Sequence, residues 1–238
     1  MKKIENNKLI YIVDEILEET HDVKTLKLKL ENGEIPSFIP GQFITIYFEE
    51  SGTPEGKSYS ISSSPKEKTL NITVKSMGEF SKKLCNMKCG DRIKASSPYG
   101  FFYSESDNSH MIIITQGIGM APFRSIILDK LNNKNRKIDL FYTNKTKEDI
   151  IFRKEFDKIK KENKNIKIKY FITRNKEKDR NYINRRIETK DILGNIKTIK
   201  DKEFFICGSI SFVRDFWNNL IESGIKEGSI YTEAFFSH

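Results

Sequence analysis

Gly117-Ile118-Gly119-Met120-Ala121-Pro122-Phe123 is the stretch whose residue types and spacing are best suited to chemistry. The apolar run Met111-Ile112-Ile113-Ile114 leads into it and reads as a buried strand bounded by Thr115-Gln116-Gly117. Pro122 is a favoured first residue of a helix, and Phe123, Ile126, Ile127 and Leu131 then recur at helical spacing. Strand, glycine turn and helix together point backbone N–H groups and a helix N-terminus at whatever lies above the strand end, an arrangement that suits a phosphate. The alternative is a tight βα turn with no ligand, and the rest of the chain has to decide between them.

The elements that must position this turn fall into two kinds. Residues 9–103 read as short strands: Leu9–Val13, Thr25–Leu30, Gly41–Phe48, Ser58–Ile61 and Leu70–Lys75. Thr25–Leu30 alternates with period two, one face apolar and the other basic. Asn32-Gly33, Pro40-Gly41 and Ser51-Gly52-Thr53-Pro54 supply the turns. This spacing predicts an antiparallel β-barrel over residues 1–105, with one short helix at Ser81–Met87 that Ser81 would cap. Ser104–Ser109 is small and polar and reads as the boundary. Over 110–238 the pattern changes to strand–helix alternation, which predicts a parallel-sheet α/β domain. Its strands are Ile138–Tyr142, Ile166–Thr173, Phe204–Ile206 and Ile230–Thr232. Thr146 with Asp149 reads as a capping box for a helix carrying Ile150, Phe152, Phe156 and Ile159. A final helix carries Val213, Phe216, Trp217, Leu220 and Ile221 and ends at Gly224. In such sheets ligands bind beyond the carboxyl ends of the strands, where Gly117–Gly119, Thr173-Arg174 and Cys207-Gly208 all fall.

Composition limits the classes of function. The chain has 238 residues, 37% of them hydrophobic, which allows two proper cores. No stretch approaches the about 20 apolar residues of a membrane helix, and no signal-peptide pattern opens the chain, so no membrane insertion and a cytoplasmic location are expected. Three cysteines suit a reducing compartment, with Cys85 and Cys89 read as packing residues. The net charge of +9 is spread along the chain among acids. It reads as a solvated basic surface, or else as a docking face for an acidic protein; no basic module points to nucleic acid.

With barrel, turn and α/β domain in place, the chain resembles the ferredoxin–NADP reductase family of flavoenzymes along nearly its whole length. Lys57-Ser58-Tyr59-Ser60 is similar to its Arg-x-Tyr-Ser flavin motif, and Gly78-Glu79-Phe80-Ser81 to its Gly-x-x-Ser pyrophosphate motif. Gly90-Asp91 and Pro98-Tyr99-Gly100 resemble the strands that close its barrel. Gly117–Ser125 resembles its nicotinamide-nucleotide motif, and Cys207-Gly208 and Glu233-Ala234-Phe235 the end of the pattern.

The resemblance implies FAD as cofactor and NADPH as co-substrate, with NADH possible. Tyr59 would stack on the flavin and Ser60 would contact its N5, while Lys57, Ser58, Gly78, Phe80 and Ser81 would hold the cofactor. Val74 and Lys75 would line the flavin, although Lys75 reads equally as a solvated strand residue. Gly117, Gly119, Met120 and Pro122 would take the dinucleotide, with Cys207, Gly208 and Glu233 near nicotinamide and flavin and Ser60, Cys207 and Glu233 as the catalytic set. Phe235 or Phe236 would cover the flavin's other face. Two departures stand out. Lys57 replaces a two-pronged Arg with a point donor. Thr115 stands where the family often has Gly, predicting a tighter turn.

The nucleotide choice rests on Thr173 and Arg174, where an NAD site typically places Asp or Glu. From Arg174 to Arg186 there are six basic residues (Arg174, Lys176, Lys178, Arg180, Arg185, Arg186) against Glu177 and Asp179. Donors of this kind suit a 2′-phosphate and favour NADPH; a basic loop that touches nothing is the alternative. Tyr182, followed by Asn184, resembles the family's adenine-stacking Tyr-x-Gln. The implied reaction is hydride transfer from NADPH to FAD, after which electrons leave singly for an acidic carrier, a ferredoxin or flavodoxin. The alternative is an NADH-using flavin subunit of a larger oxygenase or dehydrogenase complex. Oligomeric state is not legible in the sequence.

Overall fold

The computed structural model describes residues 8–48, 55–106, 109–131, 136–174, 179–194, 196 and 198–235. The Ser51–Pro54 turn, Lys176, Lys178 and Phe236 lie outside the described residues. Two compact units form: Met1–Tyr103 with Arg124–Asp129, and Ser104–Phe123 with Lys130–His238.

In the first unit six antiparallel strands run β1 (Leu9–Thr20), β2 (Val23–Leu30), β3 (Phe43–Tyr47), β4 (Lys57–Ser60), β5 (Leu70–Lys75) and β6 (Arg92–Ala95), paired in the order β4-β3-β6-β1-β2-β5. A bridge between Ile61 and Ile72, with Ser62 N–H donating to Asn71 O at 2.8 Å, joins the two ends of the sheet into a barrel. The period-two pattern works as expected: Leu26, Leu28, Ile72 and Val74 point into the core with Tyr11, Ile44 and Ile46. The outward lysines of β2 meet the acids of β1, Lys27 with Glu15 at 2.8 Å and Lys29 with Asp14 at 2.7 Å. These cross-strand pairs carry β1 beyond the Leu9–Val13 read from hydrophobicity alone. The short helix α1 spans Glu79–Cys85, not Ser81–Met87, and its N-cap is Gly78. Ser81 sits one turn in and reaches back, its Oγ accepting from Met77 N at 2.9 Å and Gly78 N at 3.0 Å.

In the second unit β7 (His110–Gln116), β8 (Ile138–Asn144), β9 (Ile166–Ile172), β10 (Lys202–Ser209) and β11 (Ile230–Phe235) form a parallel sheet in the order β11-β10-β7-β8-β9. The helices that connect them are α2 (Met120–Lys130), whose stretch Arg124–Asp129 belongs to the first unit, α3 (Arg153–Glu162), α4 (Thr189–Leu193) and α5 (Ile210–Glu222). The chain steps from β7 outward to β9, then returns to lay β10 on β7's other side. That reversal opens a crevice at the carboxyl ends of β7 and β10, the place where α/β sheets take ligands.

Two local expectations fail for physical reasons. Thr146 and Asp149 do form a capping box, Thr146 N donating to Asp149 Oδ2 at 2.8 Å, but it closes only the 3-10 turn Lys147–Asp149. Ile150, Ile151 and Phe152 are all buried, and three consecutive side chains cannot share one helix face. Phe152 takes φ of +56° and α3 starts afresh at Arg153. Pro122 is the third residue of α2, not the first, still within the turn whose N–H groups lack helical partners. Helix α5 ends as read: Gly224, φ +85°, lets Ile225 N–H reach Leu220 O at 3.0 Å.

The polar segment Ser104–Ser109 is not simply solvated. Ser104 and Ser109 hydroxyls donate to the Glu203 carboxylate at the start of β10, joined by Tyr231 OH at 3.3 Å. Arg136 donates through Nη2 to the same carboxylate at 2.9 Å and through Nη1 to Ser106 O, its side chain having no exposed surface.

Candidate active site

The residues singled out in the first unit gather around one aromatic step. Strand β4 lies against β3 with Tyr59 opposite Ile44, and the Tyr59 ring stacks on Phe80 from α1 at 6.2 Å and 22°. Phe80 in turn packs on Phe48 at 4.7 Å. Lys57 Nζ stands 5.6 Å from the Phe80 ring centre and Lys83 Nζ 4.4 Å from that of Phe48, so two ammonium groups flank the aromatic pair. Burial pushes the Tyr59 hydroxyl far above its ordinary range and keeps it neutral. Ser60 is buried at the end of β4, while exposed Ser58 bonds Thr45 Oγ1 at 3.1 Å. Beside Gly78, where a Cβ would meet nothing, there is open space.

Three residues of the set are engaged within the protein. Val74 has no exposed surface and belongs to the barrel core. Lys75 is half-buried and paired, its Nζ 3.1 Å from Asp22. Burial opposes the charge on Asp22, but the Lys75 and Thr20 bonds outweigh it and hold the carboxyl below its usual range. The Ser81 hydroxyl is committed to its own helix end, also donating to Gly78 O at 3.0 Å.

In the second unit the crevice gathers Gly117, Gly119, Thr115, Cys207, Gly208 and Glu233. Gly117 has φ of +54° with open space where a side chain would stand. Gly119 is hemmed in: a Cβ there would lie 2.5 Å from Cys207 O and 2.9 Å from Thr115 Oγ1. Thr115, the departure from glycine, is buried and its hydroxyl donates to Cys207 O at 3.0 Å, tying β7 to β10 just under the turn. Met120, fully buried, anchors the first turn of α2 beside Pro122. Cys207 pairs with Glu233 across β10 and β11; burial first, and then the Glu233 charge, push its thiol well above the ordinary cysteine value. Level with the turn, Asn144 ends β8; it is 5% exposed, and neither its Oδ1 nor its Nδ2 finds a partner among the described residues. A buried carboxamide left so costs about 1–3 kcal/mol, as expected of a site awaiting a polar ligand.

Beyond β9, Thr173 and Arg174 are exposed, their N–H groups donating to Asn144 O at 3.1 Å and Lys145 O at 2.8 Å. Arg185 does not belong to a free basic cluster. It makes a two-pronged pair with Asp191, 2.7 Å through Nη1 and 2.5 Å through Nη2, an acid just outside the counted segment. Arg174, Arg180, Asn184 and Arg186 remain exposed. Tyr182 is half-buried, with the Arg153 guanidinium 4.9 Å from its ring centre. Sequence reading missed Arg153 and Asn144, because nothing in their local spacing ties them to residues on other strands. Phe235 ends β11 half-buried. Cys85 is buried as read, but Cys89 is exposed.

Two family models match in succession. The one described as Oxidoreductase FAD-binding domain covers residues 11–103, and the one described as Oxidoreductase NAD-binding domain covers 113–217. The chain therefore carries an oxidoreductase FAD-binding domain followed by an oxidoreductase NAD-binding domain, on a fold shared with ferredoxin NADP+ reductases. Both domain types are those of FAD- and NAD-binding oxidoreductases. It is similar to flavohemoprotein A of Dictyostelium discoideum, 29% identical over 94% of this chain and 59% of that protein. Sulfhydrogenase 2 subunit gamma of Pyrococcus furiosus is 29% identical over 91% of this chain and 80% of that subunit. The chain thus spans about three fifths of the length of curated relatives such as the flavohemoprotein. In fold it matches the FAD/NAD-binding domain of nitric oxide dioxygenase from Vibrio cholerae, TM-score 0.86 and 22% identity over 96% of this chain and 99% of that one. It also matches a ferredoxin NADP+ reductase from Neisseria gonorrhoeae with bound FAD and NADP, TM-score 0.83 and 20% identity over 98% of this chain and all of that one (100%). Among the described residues no helix is long and apolar enough to cross a membrane.

The residues fit the family's groups. The Tyr59–Phe80 step, the two lysines and the open space at Gly78 suit a flat ring with an anionic tail. The open Gly117 turn and the unpartnered Asn144 suit a dinucleotide. One consequence is independent of ligands. Iodoacetamide at mildly alkaline pH should add to exposed Cys89 alone, with buried Cys85 and Cys207 reacting only after denaturation, when mass spectrometry would find all three cysteines labelled. Rapid labelling of Cys207 in the folded protein would contradict its burial.

Proposed function

We propose that this protein is an FAD-dependent reductase that takes a hydride from NADPH and passes electrons singly to an acidic carrier protein such as a ferredoxin or flavodoxin. The observation that carries the nucleotide choice is exposed Arg174 at the carboxyl end of β9, with Thr173 where an NAD site places its carboxylate. The net charge of +9 supports an acidic partner.

Bound FAD supplies an acceptor for the two electrons of the nicotinamide hydride and their release one at a time. The chain's own residues place and insulate it. Tyr59 offers the flat apolar wall, its hydroxyl kept neutral by burial. Lys57 and Lys83 meet the anionic tail, two point charges in place of one forked guanidinium. Ser60, buried at the end of β4, would offer its hydroxyl to the flavin's reacting edge. Gly117 lets the dinucleotide's phosphates approach the backbone, and Arg174 meets the 2′-phosphate. Cys207 stays a neutral thiol beside Glu233, which keeps the nicotinamide pocket dry and leaves the carboxylate to pass a proton.

Arg174→Asp tests the nucleotide choice. It should lower kcat/KM for NADPH by about tenfold or more, the loss of a charge-assisted phosphate bond, and leave NADH less affected. An unchanged ratio of the two substrates would remove the 2′-phosphate reading. Carrier docking is tested by salt: reduction of an acidic flavodoxin should slow steeply as ionic strength rises, and a salt-independent rate would contradict it.

The second reading, an NADH-using flavin subunit of a larger complex, is favoured by the similarity to the sulfhydrogenase subunit, matched over 80% of that subunit. Copurification with partner subunits and a preference for NADH would decide for it.

A further inference from the structure

Arg153 opens α3, and nothing read from the sequence gave it a task. Its guanidinium lies between two aromatic rings, Cζ 4.1 Å from the centre of Tyr170 and 4.9 Å from the centre of Tyr182. The rings themselves are 6.3 Å apart and tilted at 56°. Only Nε is tied down, to Asp157 Oδ2 at 2.6 Å, while Nη1 is buried with no hydrogen-bond partner among the described residues. A guanidinium that leaves a buried donor unused is held for its flat face rather than for its fork. Asp157 also accepts from Tyr170 OH at 3.4 Å, so one carboxylate orients both the cation and the inner ring.

The contacts continue inward. Tyr170 packs on Tyr142 at 6.3 Å, and Tyr142 OH donates to Gly117 O at 2.9 Å. Burial raises the hydroxyl groups of both Tyr142 and Tyr170 far above their ordinary range, so neither introduces a charge. The loop carrying Tyr182 is fixed through its backbone one residue later, where Ile183 N donates to Tyr170 O at 2.9 Å and Ile183 O accepts from Ile172 N at 3.0 Å. That pins the chain but not the ring, which would be free to rotate about its side-chain bonds without Arg153.

We propose that Arg153 is a positioning residue for the base end of the dinucleotide. It holds the Tyr182 ring in a fixed orientation on which a purine stacks, and through Tyr170 and Tyr142 it fixes that platform relative to the phosphate turn at Gly117. The inference rests on the reading of Tyr182 as the stacking residue and adds the group that pre-orients it. A pre-oriented ring loses less freedom when the base arrives, so the benefit appears as affinity rather than as rate.

The test is calorimetric titration of the FAD-loaded protein with 5′-AMP, a probe that carries the base but no nicotinamide. Arg153→Met should weaken 5′-AMP binding by about fivefold to tenfold, the range of one cation–aromatic contact. Arg153→Lys, which keeps the charge but loses the flat face, should lie between. In steady-state assays the Met variant should raise KM for NADPH with kcat little changed, a split that general loosening of the fold would not produce. Should Arg153→Met fail to fold, Asp157→Asn reduces the Nε tether from a charge-assisted to a neutral hydrogen bond and should weaken 5′-AMP in the same direction. Parental 5′-AMP affinity in the folded Arg153 variants, or in Asp157→Asn where those do not fold, would overturn the inference while leaving the base site in place. If Tyr182→Ala itself left 5′-AMP affinity unchanged, the base site would be wrong and the inference would fall with it.

Discussion

Gly119→Ala is expected to lower stability by about 2–3 kcal/mol, the cost of forcing extra volume into a packed site, or about 5–10 °C in Tm for a chain of this size. The added methyl would stand 2.5 Å from the carbonyl oxygen and 2.8 Å from the carbonyl carbon of Cys207. Both are backbone atoms of β10, paired on one side with β7 and on the other with β11, so neither can move aside without breaking the ladder. Relief requires the glycine turn to lift off the sheet, which carries the N–H groups of the turn and Gly117 with it. Nucleotide binding should therefore fall together with stability. Gly117→Ala provides the contrast. It imposes a side chain at φ of +54° but meets open space, so it should cost only about 1 kcal/mol of backbone strain. Equal thermal stability of Gly119→Ala and the parent would contradict the close approach.

Arg136→Met is the second large effect. Arg136 has no exposed side-chain surface, and Glu203 is 8% exposed. Removing the cation strands a buried carboxylate that the hydroxyls of Ser104, Ser109 and Tyr231 solvate only in part, a loss of about 3–5 kcal/mol. The pair itself is not the source of stability, since two charges were desolvated to form it. The double change Arg136→Met with Glu203→Leu should accordingly recover much of the loss in urea unfolding. A single substitution within about 1 kcal/mol of the parent would mean that the network is not held dry.

That network was the least legible part of the chain. Ser104–Ser109 has the composition of a solvated linker, and its partners Arg136 and Glu203 are remote in sequence, so no local pattern announces that Ser104 and Ser109 bond a buried carboxylate. The barrel and the parallel sheet were legible because their signals are local: period two along β2, and an apolar strand running into glycines at Gly117. The length of β1 was not, because its second half is held by cross-strand charge pairs rather than by hydrophobic alternation. The helix expected from Thr146 was misjudged because a capping box specifies one turn and says nothing of three consecutive buried side chains beyond it.

The candidate site divides in the same way. Lys57, Tyr59 and Phe80 come together because strand and helix each carry a recognisable motif. Thr115, Gly119 and Cys207 come together because the order of strand addition reverses after β9, which sets β10 parallel beside β7. Arg185 was misassigned because its partner Asp191 lies beyond the segment whose charges were counted. Arg153 and Asn144 were invisible, their significance lying in what the fold leaves unpaired.

The most direct measurement is the visible spectrum of the purified protein reconstituted with FAD, followed anaerobically as NADPH or NADH is added. The predicted result is a bound flavin band that bleaches with either nucleotide and faster with NADPH. A protein that takes up no flavin, or whose bound flavin neither nucleotide bleaches, would contradict the assignment of Lys57–Ser60 and the Gly117 turn to one reductase.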